Sequence, residues 1–257
     1  MTIEGRAVAL TERPIAGAPV PLFEIPGWDA GIGVVAGVTG RGGPAHSFDL
    51  KLESIPPRGP TLDRWSALLA AFPGFEGLVA SRQVHQTAVC WHERVEGLTV
   101  LAGFDGHATS TPGLLMAISL ADCIPVYLVD PSRRVAALLH AGWRGTAGRI
   151  LEEGVGLLAS EAGSRPGDLS VHFGVGICGP CYEVGFEVLA ACGRPVPESG
   201  KGRCDLREVL VEQAGSLGIG KISTSTRCSA HQNELFFSHR ASLGQDGRMV
   251  AYLGLVP

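Results

Sequence analysis

Apolar and β-branched residues fall in short runs broken by turn-forming residues, at 33–38, 77–84, 98–102, 114–119, 124–130, 135–140, 169–175 and 249–255. Runs of this length and punctuation predict strands. Helical spacing takes over in two places. Over 61–72, Trp65, Leu68, Leu69 and Phe72 share one face, and over 146–160, Ile150, Leu151, Val155, Leu157 and Leu158 form the stripe. Asp205 with Glu208 three residues on, ahead of Val209 and Leu210, is a capping-box pattern that predicts a third helix start. A fourth helix is predicted over 184–192. Clustered strands with helices at irregular intervals, instead of strict strand–helix alternation, predict an α+β fold whose sheets are covered by helices. No repeat divides the chain and no Gly/Pro stretch is long enough for a linker, so 1–257 reads as a single domain.

The segment 121–140 predicts a hairpin, two strands joined by a four-residue turn. With Asp130 opposite Val135, Cys123 falls opposite Gly142 and His140 opposite Pro125, at the same open end. Side chains facing each other across such a pair sit roughly 5 Å apart at Cβ, and diagonal ones about 7–8 Å. One metal ion, or one thiol–imidazole hydrogen bond, spans that gap, and the spacing leaves both open. After His140, the run Ala141-Gly142-Trp143-Arg144-Gly145-Thr146 turns from strand into helix. It is either an anion cradle with Arg144 as its charge or a plain turn with a surface arginine. His85, at the end of the 77–84 strand, is either a third ligand or a capped core histidine. Asp122 either orients an imidazole or caps a turn.

Composition narrows the partners. A 45% hydrophobic share excludes a disordered chain, and 21 basic against 25 acidic residues, with no basic cluster, excludes nucleic acid as a partner. The first residues lack a basic-then-apolar pattern and the longest apolar run, 114–129, is broken by Asp122, so no membrane partner and a cytoplasmic location are expected. Seven cysteines in a chain too long to need disulfides point to free thiols, a metal or a catalytic thiol. Gly174-Val175-Gly176-Ile177-Cys178-Gly179 satisfies G-x-G-x-x-G, but Pro180 follows at once and no acid stands about 20 residues beyond, so a dinucleotide site is not expected. Cys178-x-x-Cys181 has no second CxxC or HxxxH near it and reads as a tight turn lining the site. Cys90, Cys192, Cys204 and Cys228 read as apolar fillers, and His92, His107, His172 and His231 as weaker ligand candidates.

Taken together, Gln83-Val84-His85, Ala121-Asp122-Cys123, His140-Ala141-Gly142-Trp143-Arg144-Gly145 and Cys181-Tyr182-Glu183-Val184-Gly185 resemble the YfiH family, also called the laccase-domain or polyphenol-oxidase-like family. Thr39-Gly40-Arg41-Gly42-Gly43, Asp105-Gly106, Asp205-Leu206-Arg207 and Phe236-Phe237-Ser238-His239-Arg240 extend the likeness over about residues 33–253. The resemblance implies a single-domain, mostly monomeric β-sandwich flanked by helices. It also implies one zinc ion per chain on His85, Cys123 and His140, with Cys123 and His140 at the chemistry. The implied activity is purine nucleoside phosphorolysis (adenosine, inosine, guanosine, methylthioadenosine) with adenosine deamination alongside. Two imidazoles and one thiolate leave a fourth zinc position free, as in catalytic sites. Arg144 and Arg41 are the groups expected to take phosphate. The same residues also fit a cysteine-dependent amidohydrolase editing a cell-wall precursor, with Cys123 as nucleophile and His140 as base. A zinc-stabilised binding protein is disfavoured by the open position. A multicopper oxidase needs several histidine clusters, whereas this chain has eight His and no H-x-H pair.

Overall fold

The computed structural model describes residues 7–43 and 46–257; residues 1–6, where the sequence was read for a leader segment, lie outside them. Among the described residues, two sheets of seven strands each lie face to face, with helices on both outer faces. At the middle of the first sheet is the hairpin Ile124–Asp130 and Val135–Ala141. Ser170–Phe173, Lys221–Ser225 and Ala7–Leu10 extend the sheet on one side, Gly106–Thr109 and Val89–His92 on the other. The second sheet is built around Met249–Leu255, which pairs antiparallel with Val34–Thr39 and Leu114–Leu120; Gly77–Arg82 and Gly97–Ala102 follow in parallel.

Every residue of both hairpin strands is buried, because the strands are covered on both faces. Tyr127, Val129, Ala136 and Leu138 point inward and meet Met116, Ile118, Ala251 and Leu253 of the opposite sheet. Ile124, Val126, Ala137 and Leu139 point outward, under helices Ile150–Ala162 and Leu206–Leu217. The outer face of the second sheet buries Leu78, Leu115 and Val250 beneath Trp65 and Leu68 of helix Gly59–Ala70. Tyr127 locks the sheets together by donating its hydroxyl to the Gly37 carbonyl at 2.7 Å. This is the mixed α+β, helix-flanked sandwich that the pattern and the resemblance predict. No helix among the described residues is long and apolar enough to cross a membrane.

Local differences have local causes. The stripe over 146–160 divides into Trp143–Ala147 and Ile150–Ala162, because Arg149 takes a left-handed conformation (φ 65°) that swings the second helix onto the sheet. The predicted helix over 184–192 begins later, at Phe186, since Glu183–Gly185 first pairs with Lys201–Arg203. Asp205 caps its helix by accepting from the Arg207 amide at 2.9 Å, and the helix ends at Gly218 in a left-handed turn. Strands Val89–His92, Gly106–Thr109 and Lys221–Ser225 carry polar and small residues that mask their character. Two of them bury a polar pair, His92 and His107, joined at 2.9 Å.

Candidate active site

The hairpin pairs Pro125 with His140 and Ile124 with Ala141, and that register continued by one residue places Cys123 opposite Gly142. A Cβ at position 142 would lie 3.0 Å from Cys123 Sγ and 3.4 Å from His85 Cδ2. Glycine there is what lets the thiol and a ring from another element converge. The ligand atoms of His85, Cys123 and His140 all lie within 4.8 Å of one another, and the two imidazole centroids are 4.9 Å apart.

His85 reaches this point on a loop, three residues beyond the end of strand Gly77–Arg82. Gln83 clamps the loop to the neighbouring strand, donating to the Ser119 carbonyl at 2.9 Å and accepting from its amide at 3.0 Å. His85 itself sits at φ 59°, a strained conformation for a non-glycine residue. Asp105 holds it there. Its carboxylate accepts from the amides of Val84, His85 and Gln86 at 3.2, 2.9 and 2.8 Å, and from His140 Nδ1 at 2.9 Å. With Nδ1 engaged, His140 has Nε2 left for the cluster. One buried carboxylate therefore orients the His140 imidazole and fixes the loop that presents His85, and the former is the outer contact that metal-ligating histidines use.

Electrostatics follow from that packing. Burial alone would lower the His140 imidazole, but the Cys123 thiolate and the Asp105 carboxylate lift it to about 9. Burial alone would raise the Cys123 thiol, but the two imidazoles bring it down to about 6. Burial likewise works against the Asp105 carboxylate, and the hydrogen bonds from His140 and the loop amides hold it below its ordinary value. Two imidazoles, a ready thiolate and a carboxylate behind them suit a single zinc ion with an open position.

The cluster opens into a cavity of about 480 Å³. Its wall carries Arg82, Arg144, Arg240, Arg248 and Lys51, and its carboxylate, Asp122, is already engaged in hydrogen bonds. Trp143 and Tyr182 add aromatic surface; the Arg144 guanidinium lies 4.3 Å from the Trp143 ring centre and that of Arg240 5.1 Å from the Tyr182 ring. An anion beside a flat, partly apolar group is what such a wall accepts.

His85, Cys123, His140 and Arg144 thus come together, and Arg41 does not. Its guanidinium pairs with both oxygens of Asp246, donates to the carbonyls of Asn233 and Phe236, and stacks on Phe237. Arg41 is absent from the cavity wall and braces the loop behind it. The hydrogen bonds of the Asp122 carboxylate go elsewhere than to an imidazole among the described residues: it accepts from the hydroxyls of Ser229 and Ser238, both at 2.7 Å, and from the Arg240 amide at 2.6 Å, so it anchors the segment that carries Arg240. Ile177 and Tyr182 reach the cavity, while Cys178 and Cys181 between them do not. Sequence reasoning passed over the role of Asp105 and the charges of Arg82, Arg240 and Arg248. Only the Asp105-Gly106 and Phe236-Phe237-Ser238-His239-Arg240 motifs marked two of them, with no spacing that assigns a role.

A helix-flanked double sheet presenting a two-histidine, one-cysteine cluster at its hairpin end defines the class of protein. Comparison with known sequences then places the chain. The profile of the family described as multi-copper polyphenol oxidoreductase laccase matches residues 44–256, and the chain belongs to that family. A purine nucleoside phosphorylase of Deinococcus radiodurans is 38% identical over 226 residues, covering 83% of this chain and 84% of that protein. Adenosine deaminase RL5, from an unknown prokaryotic organism, is 33% identical over 64% of this chain and 70% of its own length. The crystal structure of YlmD from Geobacillus stearothermophilus superposes with a TM-score of 0.81 at 30% identity, covering 96% of this chain and all (100%) of that one.

Proposed function

We propose that this protein is a zinc-dependent purine nucleoside phosphorylase, acting on adenosine, inosine, guanosine and methylthioadenosine, with adenosine deaminase activity at the same site. The observation that carries the reading is a ligand cluster of His85, Cys123 and His140 facing a wall of arginines inside one cavity. The names of the Deinococcus and RL5 relatives support the two reactions. In phosphorolysis a phosphate oxygen bonds to C1′ of the ribose as the C1′–N9 bond breaks, and the departing purine takes up a proton. Arg144, with Arg240 and Arg248 beside it, holds the phosphate charge, and Trp143 and Tyr182 offer flat surfaces to the base. Asp105 fixes the proton on His140 Nδ1. A zinc ion on His85, Cys123 and His140 would supply Lewis acidity at the cavity floor, which deamination of adenosine by water to inosine and ammonia requires. The family's descriptive name invokes several coppers, yet the ligating clusters among the described residues hold at most two histidines each, which supports a single-ion site here.

Chromatography of nucleosides incubated with and without phosphate tests the reading. Free purine and ribose 1-phosphate should form only with phosphate, and inosine should form from adenosine without it. Arg144→Ala removes a charge-assisted contact worth about 1.5–3 kcal/mol, so phosphorolysis should fall roughly 10- to 150-fold while deamination falls less. Equal losses would assign Arg144 to the nucleoside or to the fold. The closeness of Cys123 to His140 favours a second reading, a cysteine-dependent amidohydrolase. Brief iodoacetamide exposure separates them: a zinc-bound Cys123 resists alkylation until a chelator is added, whereas a free catalytic thiolate is labelled at once in active protein.

A further inference from the structure

Away from the cavity, the fold answers a question that the sequence leaves open. Cys178-x-x-Cys181 has no ligand partner nearby in the chain, but Cys228-x-x-His231, fifty residues on, lies against it. The ligand atoms of Cys178, Cys181, Cys228 and His231 all lie within 4.8 Å of one another. His231 stands 3.6 Å from Cys178 Sγ through Nδ1 and 3.1 Å from Cys181 Sγ through Nε2. A zinc ion with bonds of about 2.3 Å to sulfur and 2.0–2.1 Å to nitrogen requires tetrahedral edges of roughly 3.5–3.8 Å, so small side-chain adjustments bring all four donors onto one ion. The two pairs have the spacing of ligand knuckles. The Cys178 amide donates to Cys228 Sγ at 3.4 Å, as amides do to ligating sulfur, and all the cysteines are free thiols. Cys228 is buried and His231 exposed, which gives an ion a route in.

We propose that Cys178, Cys181, Cys228 and His231 form a second zinc site, closed and structural, distinct from the three-ligand cluster in the cavity. Binding one Zn²⁺ there expels the three thiol protons and leaves no open position for substrate. The ion would staple two segments that already meet through a short parallel bridge, Gly176 with Cys228, and the hydrogen bonds from the Ser229 amide to the Gly176 carbonyl and from the Cys178 amide to Cys228 Sγ. Both segments run straight into the cavity wall. Tyr182 follows Cys181, and Arg240, which donates to the Glu183 carbonyl at 2.8 Å, lies on the chain beyond His231. The staple therefore sets the position of the Tyr182–Arg240 wall without touching substrate. Cys228, which the sequence pattern treats as an apolar filler, and the CxxC turn that it assigns to the cavity lining become ligands in this account.

The test is elemental analysis of the purified full chain after a mild chelator wash. Two zinc per chain are expected in the wild type, one in Cys178→Ser/Cys181→Ser and one in Cys123→Ser, with a lowered Tm only in the former; Cys90→Ser should keep both ions. If the double variant fails to fold, cobalt loading of the wild-type protein decides. Thiolate-to-cobalt charge-transfer absorption should report three thiolates on one ion and one on the other, so His231→Ala that releases the site should cut it to about a quarter. Two zinc retained by the double variant, a wild type holding one zinc that the double variant keeps in full, one thiolate per cobalt, or a Cys178–Cys181 disulfide found by mass spectrometry in active protein would overturn the proposal. Loss of phosphorolysis with both ions in place would instead count against the nucleoside reading alone.

Discussion

Asp105 makes four hydrogen bonds with one carboxylate, three to the loop that presents His85 and one to His140. Asparagine has the same shape but only one acceptor atom, so Asp105→Asn turns an amide N–H₂ toward groups that are themselves donors. The expected outcome is a 10- to 100-fold loss of zinc affinity at the cavity cluster, measured by competition with a chromophoric chelator. An unchanged affinity would restrict Asp105 to holding the loop. The resemblance marked Asp105-Gly106, but the role of Asp105 was not legible, because its partners lie 19–21 and 35 positions away and no local pattern records them. Arg41 and Arg144 show the same limit from the other side. Each lies among glycines, in Gly40-Arg41-Gly42-Gly43 and Gly142-Trp143-Arg144-Gly145, and only the fold reveals that Asp246 already occupies one of them.

At the scale of elements, the helix Ile150–Ala162 carries two glycines with opposite tasks. A Cβ on buried Gly154 would stand 2.7 Å from Leu139 Cδ1 and 3.3 Å from Leu128 Cδ1, in the core between this helix and the hairpin. A Cβ on exposed Gly156 would meet nothing within 4 Å. Gly156→Ala should therefore stabilise the protein by about 0.5–1 kcal/mol, the helix-propensity gain, while Gly154→Ala should destabilise it because Leu139 must move within a packed core. Urea denaturation of the two variants checks the opposite signs. Both glycines look alike in the sequence. The hairpin, by contrast, was legible down to its register, since a tight turn and two uninterrupted apolar strands leave one pairing that buries every side chain. Its neighbours Val89–His92 and Gly106–Thr109 were not, because the buried histidine pair interrupts the apolar pattern that marks a strand.

For the whole molecule, the point where the chain passes from one sheet to the other is held by a buried carboxylate and is sensitive to acid. Ala7–Leu10 belongs to the first sheet and Arg13–Pro14 to the second, and between them Glu12 is buried at 1% exposure. Its carboxylate contacts His172 Nε2 at 3.1 Å and accepts from the Ser225 hydroxyl at 2.7 Å, while Arg227 Nε donates to its carbonyl at 2.8 Å. Burial works to raise the Glu12 carboxyl, but His172 and Ser225 together hold it below its ordinary value of 4.5. A carboxyl depressed by folding contributes stability that is present in full above its unfolded value and lost as pH falls through the folded one. Glu12→Gln keeps the volume but removes the charge, leaving His172 without its charged partner. The variant should be less stable than the wild type near neutrality by about 1–3 kcal/mol. Below about pH 4.5 the gap should close, because the wild-type carboxyl becomes neutral as well. Asp105, Asp130 and Asp246 are held down in the same way, so both proteins should keep losing stability on further acidification. Urea titrations from neutrality to about pH 3 measure the gap directly, and a difference that widens in acid would show that Glu12 does not act as a buried charge.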